Sequence, residues 1–189
     1  MDIQKLSQCG KMRYFSNGEI VCMEGQVEYT AYLLLKGKVN VYVGSFNDTA
    51  QPIASIGTGS IFGEMSLLEN LPRSATIVAA HNDTVALEIG KENFLQLMKT
   101  EPELAYNLLK TLTTRTEDSM NKYQGYMVAF NAEIRRNTMY SQIKSLKQYQ
   151  FEDIIIKDGE YAVKMLKYLS HTLALIDQKV IEVNKKRNK

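Results

Sequence analysis

Cysteine and histidine are both scarce in this chain, and their scarcity removes most metal and nucleophile chemistry. The two cysteines, Cys9 and Cys22, are too few for an iron–sulfur cluster held by four thiolates or for a closed zinc site, so reduced structural thiols are expected. The two histidines, His81 and His171, stand far apart with no second ligand at a metal-like spacing. Neither lies near a cysteine or serine in an order that would build an activated nucleophile. The expectation is a protein that holds no metal and is not an enzyme. A basic flank followed by an apolar run is also missing, because Met1 to Arg13 is polar throughout. No signal peptide is read there, and the cytoplasm is the expected compartment. A mean hydropathy of -0.26 argues against a membrane protein, and 44% hydrophobic with 23% charged residues argues against a disordered chain. The formal net charge of +2 gives no general attraction for nucleic acid. The basic cluster Lys185, Lys186, Arg187 and Lys189 reads as a solvated end.

What is present changes character along the 189 residues, enough chain for one full domain and an appendage. From Tyr14 to about Ile89, short apolar runs alternate with glycine-bearing turns, the pattern of many short strands in a sandwich or barrel. Ala31 to Leu35 and the alternating Val39, Val41 and Val43 read as two strands around a tight turn at Gly37, with sequential strands pairing. Near Lys91 the period changes. Lys91 to Lys99 predicts a short helix, and Pro102 opens a longer one. Thr116, Met120, Tyr123, Met127, Phe130 and Ile134 then alternate steps of four and three. A cleaner seam follows in Ala162, Leu166, Leu169, Leu173, Ile176, Val180 and Val183. Such stripes suit a partner helix, either in the same domain or in a second copy, and a homodimer is expected. Phe151 to Ile156 reads as strand-like. Three regions result: 1–101 as the β domain, 102–150 as a connecting and dimerisation helix region, and 151–189 as a C-terminal amphipathic helix.

The segment from Ile61 to Thr76, IFGEMSLLENLPRSAT, carries the chemistry. A short helix starting at Glu64 would aim unpaired amides at an anion, and Arg73 supplies a cation. A carboxylate at Glu64 can accept from a sugar hydroxyl, Gly63 leaves the backbone accessible, and Ser74 adds a hydroxyl donor. Singly, Glu64 and Arg73 could be a surface ion pair and Ser74 a turn residue. Together with the upstream run Phe15 to Gly25 and with Gly37 after a strand, the segment resembles the cyclic-nucleotide-binding domain family over roughly Arg13 to Leu112.

That resemblance implies an α+β fold: a double-stranded β-helix (jelly-roll) β-roll followed by C-terminal helices. It assigns Arg73 to the cyclic phosphate and Glu64 to the ribose 2′-hydroxyl. Gly63 and Ser74 would give backbone and hydroxyl donors, and Met65 and Ser66 lie in the same cassette. Val41 and Ile53 resemble positions that wall the base, and Ala75 is small where the ligand approaches. Relatives similar to the bacterial catabolite activator close a long helix over the base, which places Ser119 at the adenine edge with Arg115 one turn earlier. The implied ligand is cAMP, with cGMP compatible with Ser74. The jelly-roll shape also houses metal-dependent oxygenases, but these need several histidines converging on a metal. No recognition helix with its preceding turn is visible after the long helix, so DNA is disfavoured as a partner. The expected output is a partner protein at the C-terminal helices, away from any membrane. The competing reading is a cAMP-responsive transcription regulator with an unrecognised C-terminal module.

Overall fold

Among the described residues, eight short strands occupy the first half of the chain. The computed structural model describes residues 8–187 apart from 45, 48 and 126, with side chains described as far as 182. Val183's side chain, those of the terminal basic cluster and residues 1–7 therefore lie outside the described residues. Two compact units divide between Leu97 and Met98. In the first, the strands are β1 (Lys11–Phe15), β2 (Ile20–Cys22), β3 (Thr30–Lys36), β4 (Lys38–Tyr42), β5 (Ala54–Gly57), β6 (Ile61–Phe62), β7 (Thr76–Ala79) and β8 (Thr84–Gly90). They form two four-stranded antiparallel sheets, ordered β1-β8-β3-β6 and β2-β7-β4-β5.

Both sheets feed one core. Phe15, Tyr32, Leu34, Phe62 and Ala86 from the first sheet pack with Cys22, Val39, Ile77 and Ala79 from the second. Strand β3 is buried on both faces. Tyr32 and Leu34 point into that core, while Ala31 and Leu33 are equally buried on the other side, where helix α1 (Glu64–Glu69) packs on β3. The expected pairing of sequential strands holds only for β4 with β5. β3 and β4 flank Gly37 as read, yet they belong to different sheets. The chain crosses between sheets at Gly37, whose φ is +89° and where a Cβ would stand 2.7 Å from Thr84 Oγ1. Only glycine combines that conformation with that approach.

The second unit is helical: the end of α2 (Lys91–Thr100), then α3 (Pro102–Lys122), α4 (Val128–Arg136), α5 (Thr138–Ser145), α6 (Gln148–Lys157) and α7 (Gly159–Arg187). Pro102 sits in the first turn of α3, where its missing N–H costs nothing. The first seam is not one helix. Helix α3 ends at Lys122, and Asn131 Nδ2 donates to Met120 O at 2.9 Å, satisfying a carbonyl of the last turn. The strand-like segment Phe151 to Ile156 is instead part of α6. Phe151 and Ile155, four residues apart, are buried while Ile156 is exposed, and α6 packs on α3 and α7. Burial at helical spacing overrides the strand preference of three consecutive isoleucines.

The second seam finds its partner within the chain. Ala162, Leu166, Leu169, Leu173 and Ile176 are all buried, and α7 packs along α3 and against α5 and α6. Among the described residues no helix is long and apolar enough to cross a membrane. Leu169→Ala, which removes a side chain with no exposed surface, is expected to lower stability by about 2–5 kcal/mol, read from the urea midpoint.

Candidate functional site

Strand pairing carries the cassette to the start of β3. Tyr32 faces Phe62 and Leu33 faces Ile61 across the β3–β6 ladder, so the next residue, Gly63, falls opposite Ala31, and a Cβ at Gly63 would lie 3.4 Å from Thr30 O. Gly63 adopts φ 73°, ψ 6°, turning the chain into α1. Its carbonyl accepts from Arg73 Nη1 at 2.7 Å, and a Cβ in its place would stand 2.5 Å from that same nitrogen. Ser66, one turn into α1, donates from Oγ to Gly63 O at 3.1 Å and accepts from Arg73 Nη1 at 2.8 Å. Glu64 and Met65, the first two helical residues, are also buried.

Arg73 is the centre of this arrangement and is only 3% exposed. Its backbone is fastened to the β2–β3 loop on both sides, with Gly25 N donating to Arg73 O and Arg73 N donating to Gln26 O, each at 2.8 Å. That clamp turns the side chain inward. Besides Gly63 and Ser66, Nη1 donates to Thr30 O at 2.6 Å, while Nη2 donates to Thr30 Oγ1 at 2.9 Å and Glu28 Oε2 at 3.2 Å. The guanidinium carbon lies 5.6 Å from the centroid of Tyr32, whose ring stacks on Phe62 at 5.3 Å. The remaining donor, Nε, is buried without a hydrogen-bond partner. An unpaired buried donor is costly, and Nε and Nη2 form one edge of the guanidinium fork, suited to two oxygens of a single anion. One donor, Nε, is thus left for an anion, and Nη2 on the same edge is already engaged by Thr30 and Glu28.

The other sequence-predicted residues divide into three groups. Ser74 is exposed and Ala75 half-buried immediately after Arg73, and Thr76 Oγ1 accepts from Glu24 N at 3.0 Å, anchoring the start of β7. Val41 is half-buried against the roll's core. Ile53 is 68% exposed and its amide donates to Val41 O at 2.8 Å. Tyr42 faces Thr76 across the β4–β7 ladder, so Val41 lies one residue along β4 from the cassette's end, and Ile53 just precedes β5. Ser119 lies half-buried on α3, and Arg115 one turn before it, both in the second unit.

Sequence reasoning missed Thr30, Glu28 and Tyr32. Period two along β3 places Thr30 on the same face as Tyr32 and Leu34, but nothing local shows that this face receives an arginine from 43 residues away. Burial pushes the nearby Cys22 thiol up to about 11, against a lowering by the Arg73 charge. Cys22 therefore stays protonated and unreactive at neutral pH. Among the described residues no cluster of three His, Cys, Asp or Glu side chains could hold a metal.

Gly63→Ala places a methyl group against the guanidinium in a conformation that L residues rarely adopt. A stability loss of about 1–3 kcal/mol is expected from the urea midpoint. Gly18→Ala, at a similar φ of +83° with nothing within 4 Å, should lose less, and equal losses would show that Arg73 yields freely.

Comparison with known proteins agrees with this geometry. Residues 12–101 match the family model described as cyclic nucleotide-binding domain. The cyclic AMP receptor protein of Thermus thermophilus is 31% identical over 136 residues, 72% of this chain and 61% of that protein. The cGMP-dependent protein kinase 2 of Mus musculus is 32% identical over 122 residues, 64% of this chain and 16% of the kinase. The chain thus spans less than two thirds of the length of either relative. A solved cyclic nucleotide-binding domain from Methylobacillus flagellatus is 30% identical, with a TM-score of 0.50 over 63% of this chain and 68% of its own. With two sheets rolled about one core, an arginine buried behind a glycine-led helix, and these matches, the chain belongs to the cyclic nucleotide-binding domain family.

Proposed function

We propose that this chain is a cytoplasmic cAMP sensor whose roll captures the nucleotide and whose helices after Pro102 pass on the result. The observation that carries the reading is Arg73: a buried guanidinium with an unpaired Nε, beside the exposed Ser74. Arg73 takes the cyclic phosphate, and Glu64, held at the first position of α1, takes the ribose 2′-hydroxyl. Gly63, Met65, Ser66, Ser74 and Ala75 shape the phosphate side, with Val41 and Ile53 toward the base and Ser119 supplied from α3. The preference for cAMP over cGMP rests on the resemblance to bacterial activators. Relatives named for each nucleotide match at similar identity, so both belong in the titration.

Capture shifts the helices only if the nucleotide prefers one of their arrangements. The output proposed is a partner protein. Hydrogen exchange across residues 102–182 should change on adding cAMP, and unchanged exchange would remove the relay. Sequence-selective binding to duplex DNA would restore the transcription-regulator reading. The seam on α7 is buried within its own unit, which supports an intrachain role. A homodimer remains part of the reading, and light scattering decides it: a mass of two chains would support it and a strictly monomeric mass would remove it.

Calorimetric titration with cAMP and cGMP tests the reading directly. Arg73→Ala should weaken cAMP binding well over tenfold, because truncating one side of a buried charge pair costs about 2–5 kcal/mol. Glu64→Ala should weaken it less. Parental affinity in Arg73→Ala would overturn the assignment.

A further inference from the structure

Glu24 stands where three segments of the roll meet. It lies in the β2–β3 loop, and its amide donates to Thr76 Oγ1 at 3.0 Å, at the end of the cassette. The next amide, that of Gly25, donates to Arg73 O at 2.8 Å. The backbone at Glu24 is therefore fastened to the cassette on both sides of Ser74 and Ala75. Its side chain reaches a different segment. Oε2 accepts from the amide of Gly44 at 2.6 Å, in the connection that leaves β4 and returns at Ile53, whose own amide donates to Val41 O. Tyr42 faces Thr76 across the β4–β7 ladder, so the bond to Gly44 closes a ring that runs from Glu24 through Thr76 and Tyr42 and back. Contacts within the connection are of another kind. Asn47 Oδ1 accepts from the amide and the hydroxyl of Thr49, and the rings of Tyr42 and Phe46 meet edge-on with centroids 4.9 Å apart. These shape the connection, whereas Glu24 fixes where it stands.

We propose that Glu24 is a positioning residue for nucleotide binding: its carboxylate holds the β4–β5 connection against the cassette and so sets the distance between Arg73, which takes the phosphate, and the base wall at Val41 and Ile53. The proposal rests on the cyclic-nucleotide reading above. In a cyclic nucleotide the phosphate is fused to the ribose, so its separation from the base is nearly fixed. A site that holds both must present its two sides at that separation. A carboxylate accepting from a backbone amide makes a charge-assisted bond, and a connection held in place beforehand need not be ordered at the moment of binding. Glu24 acts through the connection and not on the nucleotide itself.

The test is calorimetric titration of the full chain and its Glu24 variants with cAMP and cGMP, read for whichever nucleotide the parent binds more tightly. Glu24→Ala should weaken binding about three- to tenfold. Glu24→Gln, whose amide oxygen can still accept from Gly44, should stay within about twofold of the parent. In an Ile53→Ala background the base wall is already cut back, so Glu24→Ala should then cost less than about twofold. A residue that only supported the fold would cost the same in both backgrounds. If the parent binds neither nucleotide, the functional reading fails and the proposal falls with it. If the parent binds while Glu24→Ala binds equally, or Glu24→Gln falls as far as Glu24→Ala, or the loss persists undiminished beside Ile53→Ala, the proposal is overturned and the functional reading stands. Should Glu24→Ala fail to fold, Glu24→Asp, one methylene shorter, keeps the backbone bonds and draws the carboxylate back from Gly44. It should show the same loss relative to Glu24→Gln and the same dependence on Ile53, and binding equal to Glu24→Gln overturns the proposal.

Discussion

Burying the Arg73 guanidinium is the constraint around which the nucleotide-binding half of this chain is assembled. A charge out of water is tolerated only where its donors are met, and the acceptors here come from separate pieces of sequence. Thr30 opens β3, Gly63 follows β6, Ser66 lies in α1, and Glu28 sits in the β2–β3 loop. None can be placed until the β3–β6 pairing and the loop clamp at Gly25 and Gln26 exist. The polar cluster therefore reports on the correctness of the whole roll, and the apolar core beneath it, including Tyr32 and Phe62, supplies the free energy that holds it.

The same cluster explains why a small helix of six residues can matter for binding. Helix α1 is too short to be stable alone. It is held by Met65, Leu67 and Leu68, all buried, and by Ser66 through the arginine. The site is thus built on packed elements, and the mobile freedom left to it lies in exposed side chains at its rim. The proposed function rests on that division, with a fixed cation carrying one unsatisfied donor.

Much of this was legible in the sequence because it is local. The alternation of Val39 and Val41, the glycine turn between β3 and β4, the helix after Gly63 and the Pro102 start are each set by a few neighbouring residues, whereas Val43 lies beyond β4 and is exposed. The cassette as a string identified the family. Strand order was not legible, since pairing β1 with β8 joins residues 69 to 77 positions apart and no local pattern encodes it. The run Phe151 to Ile156 misled because β-branched side chains favour strands in isolation, while its burial at i and i+4 is decided by α3 and α7. The break after Lys122 depends on Asn131 reaching back to Met120, a contact invisible in a heptad count. Glu28 and Thr30 escaped for the same reason: their partner lies 45 and 43 residues away.

The claim that Arg73 is the anion receptor is tested most directly by the arginine Nε–H resonances in proton–nitrogen NMR spectra, recorded with and without saturating cAMP. The Arg73 signal is assigned by its loss in Arg73→Lys. A charge-assisted bond from a buried Nε–H to a phosphate oxygen predicts a marked low-field proton shift and slowed solvent exchange for that one signal. An Arg73 Nε–H that is unmoved in the nucleotide-saturated protein would contradict the account.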